Sequence, residues 1–171
     1  MKTLKIAINS FIKRSIESNQ QGKRLDVEQI ALIQESMEMK LPDWYAAMML
    51  NHDLIDIEFE YLECEDEGMK SSISISNFNT IQSETNEAYP GLDIKSMGYI
   101  NFGTCLEGSG NPIFINLKEN HNPSVVRLYH DGIIKDGIID EDGGNKLTDN
   151  LSDFFDRAEF ENNCVDKKHR K

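Results

Sequence analysis

Apolar residues recur at intervals of three and four over the first fifty positions. In the first twenty residues they predict an amphipathic helix, and they are Leu4, Ile8, Phe11 and Ile12. A second helix is predicted from Asp26, a favourable N-cap with Gln29 as its capping-box partner. It ends at Leu41-Pro42, because proline disfavours helical backbone in the residue before it. Asp43 is expected to cap a short third helix from Trp44 to about Leu50.

After His52 the apolar period changes from 3.6 to 2, which predicts a strand. One face of this strand is apolar, with Ile55, Ile57, Phe59 and Tyr61, and the other is acidic, with Asp56, Glu58 and Glu60. The segment SSISISNF repeats the alternation and predicts a second strand. The following segment, NTIQSETNEAYPG, is rich in turn-forming residues and is interpreted as a loop.

Two runs of alternating apolar and polar residues flank the glycine-rich stretch GTCLEGSG, and each predicts a strand. The segment SVVRLYH predicts another strand. The acidic segment DGIIKDGIIDEDGGNK is expected to be loop-like, with room for one more short strand. Thr148 or Asp149 is predicted to cap a last helix, and ENNCVDKKHRK is expected to be a frayed tail. This order of elements predicts an α+β fold with N-terminal helices, a mostly antiparallel sheet of about five or six strands, and a C-terminal helix. The residues expected to be substantially buried are Trp44, Phe102, Ile113, Ile115, Val126, Leu128, Phe154 and Phe155.

Composition narrows the class of partner. The chain has 171 residues, a length typical of one domain, with a formal net charge of −12 and a pI near 4.7. Such a charge repels nucleic acids and anionic membranes and attracts cationic surfaces, although acidity can also serve only solubility. The N-terminus lacks a signal-peptide pattern, and no apolar run is long enough to span a membrane. The widely spaced cysteines are Cys64, Cys105 and Cys164, and with no CxxC pair they favour free thiols and a cytoplasmic protein.

The sequence contains no motif that indicates catalysis. A phosphate-binding loop leads from a strand into a helix, whereas GTCLEGSG is followed by Pro112 and a strand-like run, so it is interpreted as a turn. DEDGGN begins like a calcium loop, but Asn145 and Leu151 occupy the positions where an EF-hand needs Gly and Glu. The four histidines form no zinc motif. We therefore expect no catalytic, cofactor or metal site, and no enzyme.

The acidic strand face has two possible roles. Asp56, Glu58 and Glu60 occupy alternate positions, and the acids that extend their field are Glu63, Glu65, Asp66 and Glu67. The charges could belong to an edge strand and deter aggregation between sheets. Alternatively, they could form the binding surface for a basic partner.

Four segments in a fixed order resemble the SUKH superfamily, which includes fungal cell-wall-assembly regulators and bacterial immunity proteins. These are DVEQIALIQESMEMKLPDWYAAMML, YINFGTCLEGSGNPIFINL, VVRLYHDG with the acidic loop after it, and LSDFFDRA. The chain departs from the family at Asn51-His52-Asp53, where an Asn-Gly-Gly-like turn is frequent, and at Gly110-Asn111, where Gly-Asp is frequent. The resemblance implies a SUKH-like domain over residues 23–161, with residues 1–22 as a helical extension and 162–171 as a flexible tail.

The resemblance also implies a non-enzymatic binding protein. Bacterial members are cytoplasmic antidotes that bind the toxin domain of a polymorphic or contact-dependent system, and many such toxins are nucleases with basic clefts. The seven acids named above are then the candidate partner-binding residues, and the aromatic candidates for anchors are Tyr61, Tyr89 and Tyr129. The alternative is an adaptor or regulatory scaffold with the same fold and no toxin partner.

Overall fold

The computed structural model describes residues 3–64, 68–108, 110–132, 134 and 142–161. Within these ranges the chain forms six α-helices and a 3-10 turn at Lys95–Met97. The α-helices are α1 (Leu4–Glu17), α2 (Val27–Met37), α3 (Asp43–Asn51), α4 (Phe78–Asn86), α5 (Gly91–Ile94) and α6 (Leu151–Asp156). The strands in the same ranges are β1 (Glu58–Cys64), β2 (Met69–Ile75), β3 (Tyr99–Cys105), β4 (Pro112–Asn116), β5 (Val125–Leu128), β6 (Gly144–Thr148) and β7 (Ala158–Glu159). They form one antiparallel sheet in the order β6-β5-β4-β3-β2-β1-β7. The predicted α+β class is confirmed, with seven strands rather than five or six.

Helix caps explain where several elements begin. The capping box before α2 is confirmed, because the Asp26 side chain accepts a hydrogen bond from the Gln29 amide while the Gln29 side chain accepts one from the Asp26 amide. Asp43 is the first residue of α3 rather than its cap. The cap of α6 is Asn150, not Thr148 or Asp149, and its side-chain oxygen accepts a hydrogen bond from the Asp153 amide at 2.9 Å.

The interpretation of residues 79–91 as a loop is wrong over most of that segment, since α4 occupies Phe78–Asn86. Asn77 caps this helix by accepting a hydrogen bond from the Thr80 amide. Ile81 and Thr85 are buried against the sheet, and the Thr85 hydroxyl accepts a hydrogen bond from the Asn101 amide of β3. A helix that buries so few apolar residues carries a weak periodic signal, and packing against β3 stabilises it.

The turn interpretation of the glycine-rich stretch is confirmed. β3 enters it and β4 leaves it, and the two strands pair antiparallel, with Pro112 as the first residue of β4. A β-bulge interrupts this ladder between Asn101 and Gly103.

The sheet curls around the main core, which lies on its inner face together with α1, α3 and α6. α1 packs directly on this core, because the Phe11 ring lies 5.2 Å from that of Phe59 and 4.9 Å from that of Phe155. The Arg14 guanidinium donates hydrogen bonds to the carbonyl oxygens of Phe155, at 2.6 Å, and Ala158. Phe155 lies in the last turn of α6 and Ala158 in β7, so Arg14 links α1 to both elements. The proposed boundaries at residues 22/23 and 161/162 stay predictions.

A smaller core lies on the outer face, beneath α5 and the turn after it, and consists of Ile94, Phe114, Val126 and Leu128. Of the eight residues predicted to be buried, seven are buried and Trp44 is half-buried. Beyond this covered part, the outer face of β1 and β2 carries half-buried or exposed polar side chains. That open part of the sheet holds the candidate site.

Candidate partner-binding face

The open outer face at the β1 end of the sheet forms a groove of about 380 Å³. Its wall contains four carboxylates, which belong to Glu58, Glu60, Glu159 and Glu161, and we call this feature the acidic groove. Glu60 lies directly across from Glu159 in the β1–β7 register and across from Ser72 in the β1–β2 register. The strand pairing therefore concentrates negative charge that the sequence separates by about a hundred positions.

The bottom of the acidic groove is partly hydroxyl and partly apolar. The Ser72 hydroxyl donates a hydrogen bond to Glu60 at 2.5 Å, and it lies 3.4 Å from a carboxylate oxygen of Glu107 on the β3–β4 turn. The Leu106 side chain is 50% exposed within the groove. Lys70 forms an ion pair with Glu159 and offsets part of the negative charge. Apolar area surrounded by charge is the usual composition of a protein-binding surface.

Asp56 does not lie on the β1 strand. Its backbone adopts a left-handed conformation (φ 64°), and β1 begins two residues later. Its carboxylate forms an ion pair with Lys23 at 3.0 Å and accepts a hydrogen bond from the Asn77 amide group at 3.2 Å. The positive φ interrupts the strand geometry, so the strand predicted from Ile55 begins only at Glu58, although Ile55 and Ile57 are buried and Asp56 is exposed as the alternation predicts.

Glu63 points to the opposite side of the sheet from Glu58 and Glu60. It lies at a β-bulge between Leu62 and Cys64, and its side chain is 10% exposed. Arg127 on β5 donates hydrogen bonds to both of its carboxylate oxygens, at 2.5 and 3.0 Å, and the Ser71 hydroxyl donates another. Burial alone would raise the pKa of Glu63, but these hydrogen bonds and the charge of Arg127 outweigh burial and lower it.

The remaining predicted acids, Glu65, Asp66 and Glu67, lie outside the described residues. Sequence reasoning missed Glu107, Glu159 and Glu161. The period-two run Ala158-Glu159-Phe160-Glu161 signals a short strand with two outward carboxylates. It lies between the helical pattern of α6 and the predicted tail, which obscures the signal.

None of the candidate aromatic anchors is a freely exposed ring. Tyr61 is fully buried, and its hydroxyl donates to the Leu147 carbonyl at 3.0 Å; burial raises its pKa to about 12. Tyr89 and Tyr129 are half-buried, and their hydroxyls donate to the Gly132 carbonyl at 2.5 Å and to the Asn145 side chain at 3.3 Å. Tyr61 therefore cannot be an anchor, because it belongs to the inner, apolar face of β1 on which the alternation also placed it.

Within the described ranges, no group of three or more His, Cys, Asp or Glu side chains is arranged to hold a metal ion. The thiol of Cys105 is free and buried. In the part of the chain that the structure describes, no helix has the length and apolar character needed to cross a bilayer.

A curled antiparallel sheet flanked by helices, with an acidic groove on its open face, is an α+β domain. The family model described as SMI1 / KNR4 family (SUKH-1) matches residues 24–157, and the chain belongs to this family. Its members are generally non-enzymatic immunity or regulatory proteins. A comparison with curated proteins found no match. The matched region includes the Gly98–Leu117 hairpin but not α1 or Glu159.

Proposed function

We propose that this chain is a cytoplasmic immunity protein that binds and neutralises the toxin domain of a bacterial polymorphic or contact-dependent system. The observation that carries the proposal is the acidic groove, in which Glu58, Glu60 and Glu159 converge on one open sheet face. Membership of the SUKH-1 family supports the proposal, because immunity proteins are one of the two roles of that family.

The groove suits a basic partner for two physical reasons. Aligned carboxylates on neighbouring strands repel one another, with a cost of a few tenths of a kcal/mol or more per close pair, and a cationic partner relieves this cost. Charges at the rim of an interface also accelerate association, whereas affinity depends on a few desolvated anchors. Leu106 is an exposed apolar residue inside the groove and is our candidate anchor.

A nuclease is the toxin class that this surface fits best. An enzyme that acts on DNA or RNA needs a cationic cleft for the phosphate backbone. An acidic protein that occupies the cleft blocks substrate by stoichiometric binding and needs no chemistry of its own. In this proposal the carboxylates of Glu58, Glu60 and Glu159 contact the toxin, while Glu63 stabilises the fold through its ion pair with Arg127.

The alternative function is an adaptor or regulatory scaffold, which the family's regulatory members favour. The two functions predict different gene surroundings. A gene directly downstream of a large secreted protein with a toxin-like C-terminus supports immunity, and a gene among cell-wall or regulatory genes supports the scaffold.

The test uses charge-neutralising variants of equal size. The triple variant Glu58→Gln, Glu60→Gln, Glu159→Gln removes three carboxylates from the groove. The control variant Glu28→Gln, Glu35→Gln, Asp93→Asn removes three exposed carboxylates from α2 and α5, so both variants have the same net charge. Each protein is co-expressed with the toxin encoded beside its gene, and the association rate is measured by stopped flow at low and high salt.

The groove variant is expected to associate at least tenfold more slowly at low salt than the control variant, and to protect cells less well. The difference should shrink as salt rises, since the Debye length shortens. Equal association rates for the two variants would exclude the acidic groove as the binding face. Failure of the wild-type chain to restore growth would reject the immunity function itself.

A further inference from the structure

A second groove, of about 490 Å³, lies between the N-terminal half of α1 and α3. The two grooves are separate, because the acidic groove lies at the other end of α1, where residues 18–20 line it. The apolar bottom of the second groove comes from four side chains, two buried (Ile8 and Met48) and two half-buried (Leu4 and Trp44).

The polar residues of this groove differ in kind from those of the acidic groove. Its polar side chains belong to Lys5, Asn51, His52 and His121, and each of them can donate an N–H hydrogen bond. No carboxylate lines it, although the chain contains 30 Asp and Glu residues. Among the described residues, no hydrogen bond or ion pair engages any of these four side chains. We call this feature the donor groove.

The electrostatics of the donor groove favour an anion. Burial lowers the pKa of His52, and the positive charges of Lys5 and Arg24 lower it further, against a smaller opposite effect of Asp53. Burial disfavours charge of either sign, whereas the effect of Lys5 and Arg24 shows that the local potential at His52 contains a positive contribution.

We propose that the donor groove binds a small amphipathic carboxylate, with an alkyl or aryl body against Trp44 and Met48 and its head group at Lys5. The volume lies within the usual range of roughly 300–1,000 Å³ for small-molecule sites, and an apolar bottom with a few convergent polar groups is their usual composition.

The walls favour a small molecule over an extended peptide. They come mainly from the helices α1 and α3, whose backbone N–H and C=O groups bond within each helix. The helical walls therefore provide no free strand edge with which an extended peptide could form main-chain hydrogen bonds. The walls provide apolar surface for an alkyl chain and side-chain hydrogen-bond donors for a negatively charged head group.

The test exploits the single tryptophan of the chain, Trp44, as an intrinsic reporter inside the groove. Tryptophan fluorescence is followed while the full chain is titrated with decanoate below its micellar concentration, and calorimetry gives the stoichiometry. Decyltrimethylammonium, which has the same alkyl length and the opposite charge, is the matched ligand. Lys5→Glu reverses the charge in the groove, and Lys13→Glu reverses the charge of an exposed lysine elsewhere on α1.

Decanoate is expected to produce a saturable one-to-one change in emission, with at least tenfold weaker binding of the ammonium ligand. Lys5→Glu should weaken decanoate binding at least tenfold, while Lys13→Glu leaves it within twofold of wild type. Equal binding of both ligands, an emission change that never saturates, or an unaffected Lys5→Glu variant would overturn the proposal. Displacement of decanoate by an apolar peptide amide, which has no carboxylate, at lower concentration would assign the groove to a protein segment instead.

Discussion

Glu63 on β1 and Arg127 on β5 form a two-pronged ion pair, although β2, β3 and β4 lie between their strands in the sheet. In a flat sheet their strands would be about 19 Å apart, at roughly 4.8 Å per neighbouring pair. The contact exists because the sheet curls until β1 approaches β5 and β6. The hydrogen bond from the Tyr61 hydroxyl to the Leu147 carbonyl joins β1 and β6 in the same way.

Breaking this ion pair by one substitution should destabilise the fold strongly. Glu63→Gln leaves the Arg127 guanidinium, whose side chain is 16% exposed, without its counter-charge. We expect the free energy of unfolding to fall by about 3 kcal/mol, the lower end of the range for buried pairs, because both side chains still reach some water. Urea denaturation followed by circular dichroism measures the change.

The matched double variant Glu63→Leu, Arg127→Met removes both charges and should recover most of the lost free energy of unfolding. Apolar side chains of similar size can be buried without the cost of removing a charge from water. A double variant as unstable as the single one would mean that the hydrogen bonds to Ser71 and Asn145, rather than the ion pair, stabilise this part of the sheet.

The same pair predicts how stability depends on pH. The pKa of Glu63 is lower in the folded chain than its ordinary value of 4.5, so the ionised carboxylate stabilises the fold above that value. This contribution is lost as the pH falls through the folded pKa. The difference in unfolding free energy between wild type and Glu63→Gln should therefore shrink below pH 4.5, and a constant difference would contradict the assignment.

α1 should unfold together with the rest of the domain, even though it lies outside the region that the family model matches. Phe11→Ala removes a fully buried ring that contacts Phe59 and Phe155 and should cost about 3–5 kcal/mol. Ile6→Ala, on the exposed face of the same helix, should change stability by less than about 0.5 kcal/mol. Thermal unfolding with a separate early transition for α1 would instead indicate an independent extension.

His52 should titrate below the ordinary histidine value of 6.5, because burial and the charges of Lys5 and Arg24 disfavour its protonated form. Lys5→Gln removes one of these charges and should raise the pKa of His52. Lys13→Gln, farther along α1, should leave it unchanged. Imidazole proton shifts measured by NMR across pH 4–8 report each pKa, and a His52 that titrates at or above 6.5 in wild type would contradict the buried setting of its ring.

Local physics alone determined several elements of this protein. The N-terminus of α2 follows from Asp26 and Gln29, whose mutual hydrogen bonds need no tertiary contact. The β3–β4 hairpin follows from two alternating runs around a glycine-rich turn. Each of these signals lies within a few residues of the structure that it specifies. The resemblance to the SUKH superfamily also rests on such local segments and on their order along the chain.

The tertiary structure decided which acidic residues face outward together. Glu58 and Glu60 lie on the outer face of β1, whereas Glu63 lies on the inner face with Phe59 and Tyr61 and pairs with Arg127, and Asp56 precedes the strand in a left-handed conformation. Glu159 joins Glu60 only because β7 pairs with β1. Sequence periodicity predicts that Glu63 faces inward with Phe59 and Tyr61, but it cannot identify Arg127 as its partner or β7 as the neighbour of β1. Both depend on contacts between distant segments and on the curvature of the sheet.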